Sequence, residues 1–424
     1  MKQLKRKVFA FLVAACLICM NIVPAFADTT TDATAPAAAD VRQEAQLTAS
    51  YLMDNADYSN ITDTSSFYNA SRNLLLSIRS GYDCSKQTEA YLSSVKTLVN
   101  KDGTLNISLA PYACPNDVLS SYAYLLMVLA VTGNDAADFN GCNIVAAFDN
   151  LLANITDSDL TYTYDWNTSS STGINPYHIG TFYSAVYSYK DSLTNADKAI
   201  AAVKKALTTL CAGGNGIDYS GTSADNNGIS LIPFASAYSD ADVKSAIDGA
   251  ITYVKTLADP DGSTQGQYWS DDYSKNWYAS NPDATALALA LFAQYNVTDY
   301  AATNYNALIK NFKSAVTPGC YTYQGYDSVY SAQDSMIGLV TYQYVLDGKT
   351  NPFDVSAEVK AIADAKNVPV EEPSTEAPAE NPTEAGNEVS PATGDVNVYM
   401  YLLLAAACAA TFTGITVYNK KSAR

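Results

Sequence analysis

Asn281-Pro282-Asp283-Ala284-Thr285-Ala286-Leu287-Ala288-Leu289-Ala290-Leu291-Phe292 is the stretch that decides the fold. From Ala284 to Phe292 only Thr285 is polar, so a helix built from it has no face for water and must be buried on all sides. Asn281 supplies an N-cap and Pro282 a first-turn proline, which together place the helix start. The alternating alanines allow close approach to neighbouring helices. Four more segments read as apolar all round: 121–131, 182–189, 228–237 and 336–345. Ser331 with Asp334 resembles a capping box ahead of the last, with Asp in place of Glu or Gln.

A second kind of segment lies between these. Val243, Ala246, Ile247, Ala250, Ile251 and Val254 recur at helical spacing, with Asp242, Lys244, Ser245 and Asp248 on the opposite face. Ile200, Val203, Leu207 and Leu210 repeat the pattern. These amphipathic helices end in similar words: Val95-Lys96-Thr97-Leu98 before Asp102-Gly103, and Val254-Lys255-Thr256-Leu257 before Asp261-Gly262. Taking Leu98, Leu151, Leu210, Leu257, Ala315 and Ile362 as equivalent gives spacings of 53, 59, 47, 58 and 47. A period of that size with two helices per unit is a helical-repeat array. The apolar helices must lie inside and the amphipathic ones outside. The expectation is an all-α ring of six inner and six outer helices with short β-like loops, spanning 41–366 as one domain.

A Gly/Asp turn ahead of an Ala-rich inner helix, best seen in Asn281 to Leu289 and again in residues 120–141, resembles the α/α toroid of terpene cyclases and protein prenyltransferases. It is similar also to the α-domain of cobalamin carriers such as intrinsic factor. What that resemblance implies must be matched residue by residue. Zinc prenyltransferases need Asp, Cys and His ligands, and His178 is the one histidine here. The cyclases use an Asp-x-Asp-Asp motif, whereas Asp225-Asn226-Asn227 has one acid. Thioester proteins join a Cys to a Gln three residues on; Cys84-Ser85-Lys86-Gln87 has the spacing without the Gly-Glu. The cobalamin carriers hold a second domain for which there is no room after Lys366. No cofactor and no metal site is therefore expected.

Tyrosine is abundant, 32 residues against 12 Phe and 3 Trp. It concentrates with acids in the loops before inner helices: Tyr164, Asp165, Trp166, Tyr177 and His178; Trp269, Asp271, Asp272, Tyr273 and Trp277; Tyr323, Tyr326 and Tyr330. In a ring these loops reach one rim of the central cavity. Flat rings beside carboxylates suit sugars or another small-molecule ligand, and they serve equally to close the cavity. The favoured reading is a binding or adhesion module. The alternative is a carbohydrate-active enzyme, hydrolase or lyase, with Asp271, Asp272, Asp283 and His178 as candidate catalytic groups. A corrinoid or other cofactor binder is a third reading.

The two ends read as addresses. Lys2, Lys5, Arg6 and Lys7 precede an apolar run and Ala25-Phe26-Ala27, the form of a signal peptide cut by signal peptidase after Ala27. Residues 28–40 then read as a flexible lead-in. Residues 367–389 are rich in Pro, Glu, Thr and Ser and read as an extended spacer. Ser390-Pro391-Ala392-Thr393-Gly394 is followed by an uncharged stretch over 396–418 and by Lys420, Lys421 and Arg424. The order resembles the Leu-Pro-x-Thr-Gly sorting signal of Gram-positive surface proteins. By that resemblance a sortase would cut after Thr393 and join the chain to peptidoglycan, outside the cell. Of 424 residues, 25 are Lys or Arg and 43 Asp or Glu, a net charge of −18. Without 1–27 and 394–424 it becomes −24, from 18 basic and 42 acidic residues. Such a balance argues against nucleic acid as a partner. The five cysteines that remain, Cys84, Cys114, Cys142, Cys211 and Cys320, leave at least one unpaired in the monomer.

Overall fold

A computed structural model of the chain describes residues 34–366, apart from Trp166, Ser220 and 269–276. The signal-peptide, spacer, sorting-signal and 396–418 expectations lie outside these residues. No helix among the described residues is long and apolar enough to cross a membrane.

Thirteen helices follow in order among them: α1 (Ala38–Asn55), α2 (Thr64–Arg79), α3 (Ser85–Leu98), α4 (Asp117–Val131), α5 (Ile144–Leu152), α6 (Pro176–Ser188), α7 (Ala196–Leu210), α8 (Ala224–Leu231), α9 (Ala241–Lys255), α10 (Pro282–Gln294), α11 (Thr298–Ala307), α12 (Val329–Leu346) and α13 (Ser356–Lys366). The even-numbered helices form the inner wall. Each packs on the next, and α12 packs back on α2 to close the ring. The stretch from Ala284 to Ala293 is buried at every position, as its composition demands. Asn281 caps α10 by accepting from the Ala284 amide at 2.8 Å. Two glycines set how near the wall helices come. A Cβ on Gly228 of α8 would lie 2.4 Å from the Leu287 carbonyl oxygen, and one on Gly338 of α12 would lie 2.5 Å from that of Ala286. Both contacts grip α10.

Three expectations are corrected. The sixth outer place belongs to α1, which packs between α12 and α2, and not to the helix around Ile362. A ring that closes pairs its first outer helix with its last inner one, so a period read along the chain is one repeat out of phase at the end. The sixth inner helix, α2, buries Ser71, Arg72, Asn73 and Ser77, which hid it from a search for apolar segments. The capping box is absent: α12 starts at Val329, and Ser328 caps it by accepting from the Ser331 amide at 3.2 Å. Asp334 is left free for another role.

The two ends of the ring differ. At the C-terminal ends of the inner helices the chain returns as a plug. Arg79 donates to the carbonyls of Pro352 (3.0 Å) and Asp354 (2.8 Å) and pairs with Glu358. Phe353 and Val355 are buried there. The Ser184 hydroxyl donates to the Phe353 carbonyl at 2.9 Å, and the Ser188 hydroxyl accepts from the Val355 amide at 3.1 Å. Helix α13 then lies against α4 and α6. At the opposite end, three antiparallel hairpins immediately precede inner helices. They are β1 (Thr163–Asp165) with β2 (Ser170–Thr172), β3 (Gln265–Tyr268) with β4 (Trp277–Ser280), and β5 (Tyr321–Tyr323) with β6 (Tyr326–Ser328). All five described cysteines are free and buried. Gln87 spends its side-chain amide on the Met53 carbonyl at 3.3 Å.

Candidate functional site

Acidic and aromatic side chains meet where the inner helices begin. In α8 the Ser223 hydroxyl caps by accepting from the Asn226 amide at 3.1 Å. Asn226 donates to the Tyr219 and Gly221 carbonyls, and Asn227 accepts from the Ile217 amide at 2.9 Å. Both asparagines thus tie down the preceding loop, and Asp225 keeps Oδ1 buried without a hydrogen bond. Asp283 occupies the first turn of α10, and Asp334 lies just past the first turn of α12.

Arg72 of α2 stands opposite. Its guanidinium donates to the Tyr68 hydroxyl at 2.5 Å and to the Gln333 side-chain oxygen at 3.0 Å, and lies 3.8 Å from an Asp334 oxygen. The Tyr68 ring meets His178 edge-on at 4.3 Å and Tyr124 at 5.3 Å. The three residues are half-buried on inner-wall helices, with 24% of the Asp334 side chain exposed.

That setting reverses the usual carboxylate preference. Burial pushes Asp225 up to about 8, and repulsion from Asp334 and Asp283 adds to it. Burial also raises Asp334, to about 7, with Arg72 pulling it back and Asp283 pushing it up. Asp283 is raised by burial and held back by the Ser331 hydroxyl. The three act as one titrating unit in which not all ionise together at neutral pH. His178 goes the other way: burial first, then the Arg72 charge, depress it to about 3, so its imidazole is neutral. Burial raises Tyr177, and the Asp225 charge adds to that.

Of the residues singled out from the sequence, Tyr177, His178 and Asp283 come together here. Tyr164 and Asp165 lie exposed on β1, where Asp165 accepts from the Asn167 amide and the Thr168 hydroxyl. Tyr323 is half-buried on β5, and Tyr326 and Tyr330 are exposed. Trp277 opens β4 opposite Tyr268. Trp166, Trp269, Asp271, Asp272 and Tyr273 lie outside the described residues. Sequence reasoning missed Arg72, Tyr68 and Asp334 and passed over Asp225. The signal available was a charged residue inside a helix that is otherwise buried, at Arg72 and Asp334. Among the described residues no group of three or more His, Cys, Asp or Glu is placed to hold a metal ion.

No protein-family profile matches the chain, and no curated protein sequence does. Solved structures do. A glycosyl hydrolase of family 88 from Bacteroides vulgatus is similar with a TM-score of 0.50 at 8% identity, over 73% of this chain and 100% of that one. The fold is an α/α toroid. A family 105 glycoside hydrolase from C. acetobutylicum ATCC 824 gives a TM-score of 0.48 at 11% identity, over 72% of this chain and 99% of that one. The ent-copalyl diphosphate synthase from Streptomyces platensis gives 0.44 at 14% identity over 67% of this chain. This toroid spans half the length of that synthase.

Proposed function

We propose that this toroid is a glycan-cleaving enzyme working by acid–base catalysis, with Asp225 as proton donor. The observation that carries the reading is three mutually repelling carboxyls gathered inside the ring, one kept protonated at neutral pH and one beside a buried arginine. A pure binding rim has no use for a carboxyl held in its acid form. Glycoside hydrolysis needs one protonated and one ionised carboxyl flanking the bond. Asp225 has no guanidinium next to it and would give its proton to the leaving oxygen. Asp334, drawn toward ionisation by Arg72, would activate water or attack the anomeric carbon, and Asp283 would keep the pair split. The similarity to the family 88 glycosyl hydrolase supports this direction. The polar cavity lining, with Asn69, Ser120, Asn175 and His178, opposes a hydrocarbon substrate of the cyclase type. The adhesion role expected from the rim tyrosines yields to this reading.

The test is release of new reducing ends from a panel of wall and plant glycans. Wild type should cleave a member of the panel, and D225N and D334N should each lose at least about a hundredfold in rate. Full activity in D225N, or no cleavage of any glycan by wild type, sinks the proposal.

We propose in addition that residues 1–27 direct export and that 390–424 deliver the protein to the cell wall through a sortase. Thr393→Ala should then leave the protein in the membrane fraction, and unchanged wall attachment refutes it.

A further inference from the structure

We infer that the cavity beside Arg72 is a subsite for a single uncharged sugar ring, so that the glycan taken by this toroid is a neutral one; this deepens the glycan-cleaving reading and rests on it. The cavity has a volume of 240 Å³ and opens between the first turns of α2, α4 and α6. That is below the range of about 300–1,000 Å³ typical for drug-sized ligands, which suits one ring rather than a chain. Tyr68 and Tyr177 supply aromatic wall, and Asn69 and Asn175 border it.

Two polar atoms of its lining make no hydrogen bond within the protein: Nδ1 of His178, a residue 8% exposed, and Oγ of Ser120, 3% exposed. Buried polar atoms left unmatched are costly, and a hydroxylated ring that both donates and accepts would satisfy them. The lining holds no Lys or Arg to receive a sugar carboxylate. His178 is neutral. The Arg72 guanidinium is not part of the lining: it donates to Tyr68 and Gln333, lies 3.8 Å from Asp334 and keeps Nε buried without a hydrogen bond. Asp117 has each oxygen on a backbone amide, that of Asn175 at 2.8 Å and that of Cys114 at 2.8 Å. An acidic sugar would enter without a cation and beside the Asp117 carboxylate, and an amino sugar's ammonium would meet a carboxylate already accepting two backbone amides.

The mouth carries the second mark. Tyr112 holds a left-handed backbone, φ 66°, and its side chain is fully exposed. A tyrosine in that conformation is strained, and strain of this kind is retained at ligand-gripping positions. Its ring provides a platform for the next sugar outside the pocket.

The experiment measures binding of neutral and uronate-bearing oligosaccharides to purified D225N protein by saturation-transfer NMR, and cleavage of the same probes by wild type. Neutral probes should bind and uronates should not. Tyr112→Ala, an exposed change that leaves the fold alone, should raise KM about 2- to 10-fold with kcat unchanged. Ser120→Ala should weaken binding about fivefold. Cleavage confined to uronate-bearing probes, or neutral binding undiminished in both variants because the cavity holds only water, overturns the subsite. Uronate-only cleavage would leave the acid–base reading standing. Neutral binding without cleavage would support the subsite and remove the catalytic reading, so the two failures are distinct.

Discussion

Asp225→Asn should flatten the dependence of stability on pH, and the sign follows from the carboxyl's surroundings. In the folded protein Asp225 keeps its proton until about 8. In the unfolded chain an aspartate loses it near about 3.9. Between these values the folded state binds the extra proton, so stability falls as pH rises, by about 1.4 kcal/mol per unit for a fully retained proton. From about pH 5 to about pH 7 that gives at most about 2.7 kcal/mol, and the partial exposure of the residue reduces it to about 1–2 kcal/mol. Asparagine has no proton to lose. D225N should therefore gain about 1–2 kcal/mol on wild type between the two pH values. The carboxylates held below their usual range, such as Asp102 and Asp240, act with the opposite sign. They act only below about 3.9 and are silent here. Urea unfolding followed by circular dichroism at both pH values measures the difference. A stability gap between D225N and wild type that does not change with pH refutes the reasoning.

Other changes test neighbouring parts of the argument. Arg72→Gln removes the cation that draws Asp334 down, so the acid limb of the kcat/KM profile should move to higher pH; an unmoved limb means that Arg72 does not tune Asp334. Gly228→Ala drives a methyl into the Leu287 carbonyl and should cost about 1–3 kcal/mol in urea unfolding, whereas no loss would show that α8 can retreat from α10. Arg79→Met removes the donors that hold Pro352, Asp354 and Glu358, so limited proteolysis should cut around α13 sooner than in wild type, and an unchanged pattern would show that Phe353 and Val355 hold the plug alone.

What could be read from the chain was what is local. Ala284 to Phe292 has one outcome because no face of it tolerates water, and Asn281 sets its start. The amphipathic period of Val243 to Val254 marks an outer helix by the same logic. Ring closure is not local. Helix α1 earns its place against α12, at the other end of the domain, and nothing in its own sequence names that partner. The site inherits the difficulty. Arg72 and Gln333 are 261 residues apart and hydrogen-bonded. Asp334 stands three residues after a serine, which local rules assign to a helix cap. The hydroxyl that caps is Ser328, one turn earlier, and this shift moves Asp334 from the helix end to a place 3.8 Å from the Arg72 guanidinium. The polar residues that spoiled α2 as an apolar segment are thus an index of its role. An inner helix that surrenders its apolar face at Arg72 destabilises the wall unless each polar group finds a partner or a ligand. Arg72 finds Tyr68 and Gln333 but leaves Nε unmatched, as Asp225, His178 and Ser120 leave atoms unmatched, and those of His178 and Ser120 border the cavity that a substrate would fill.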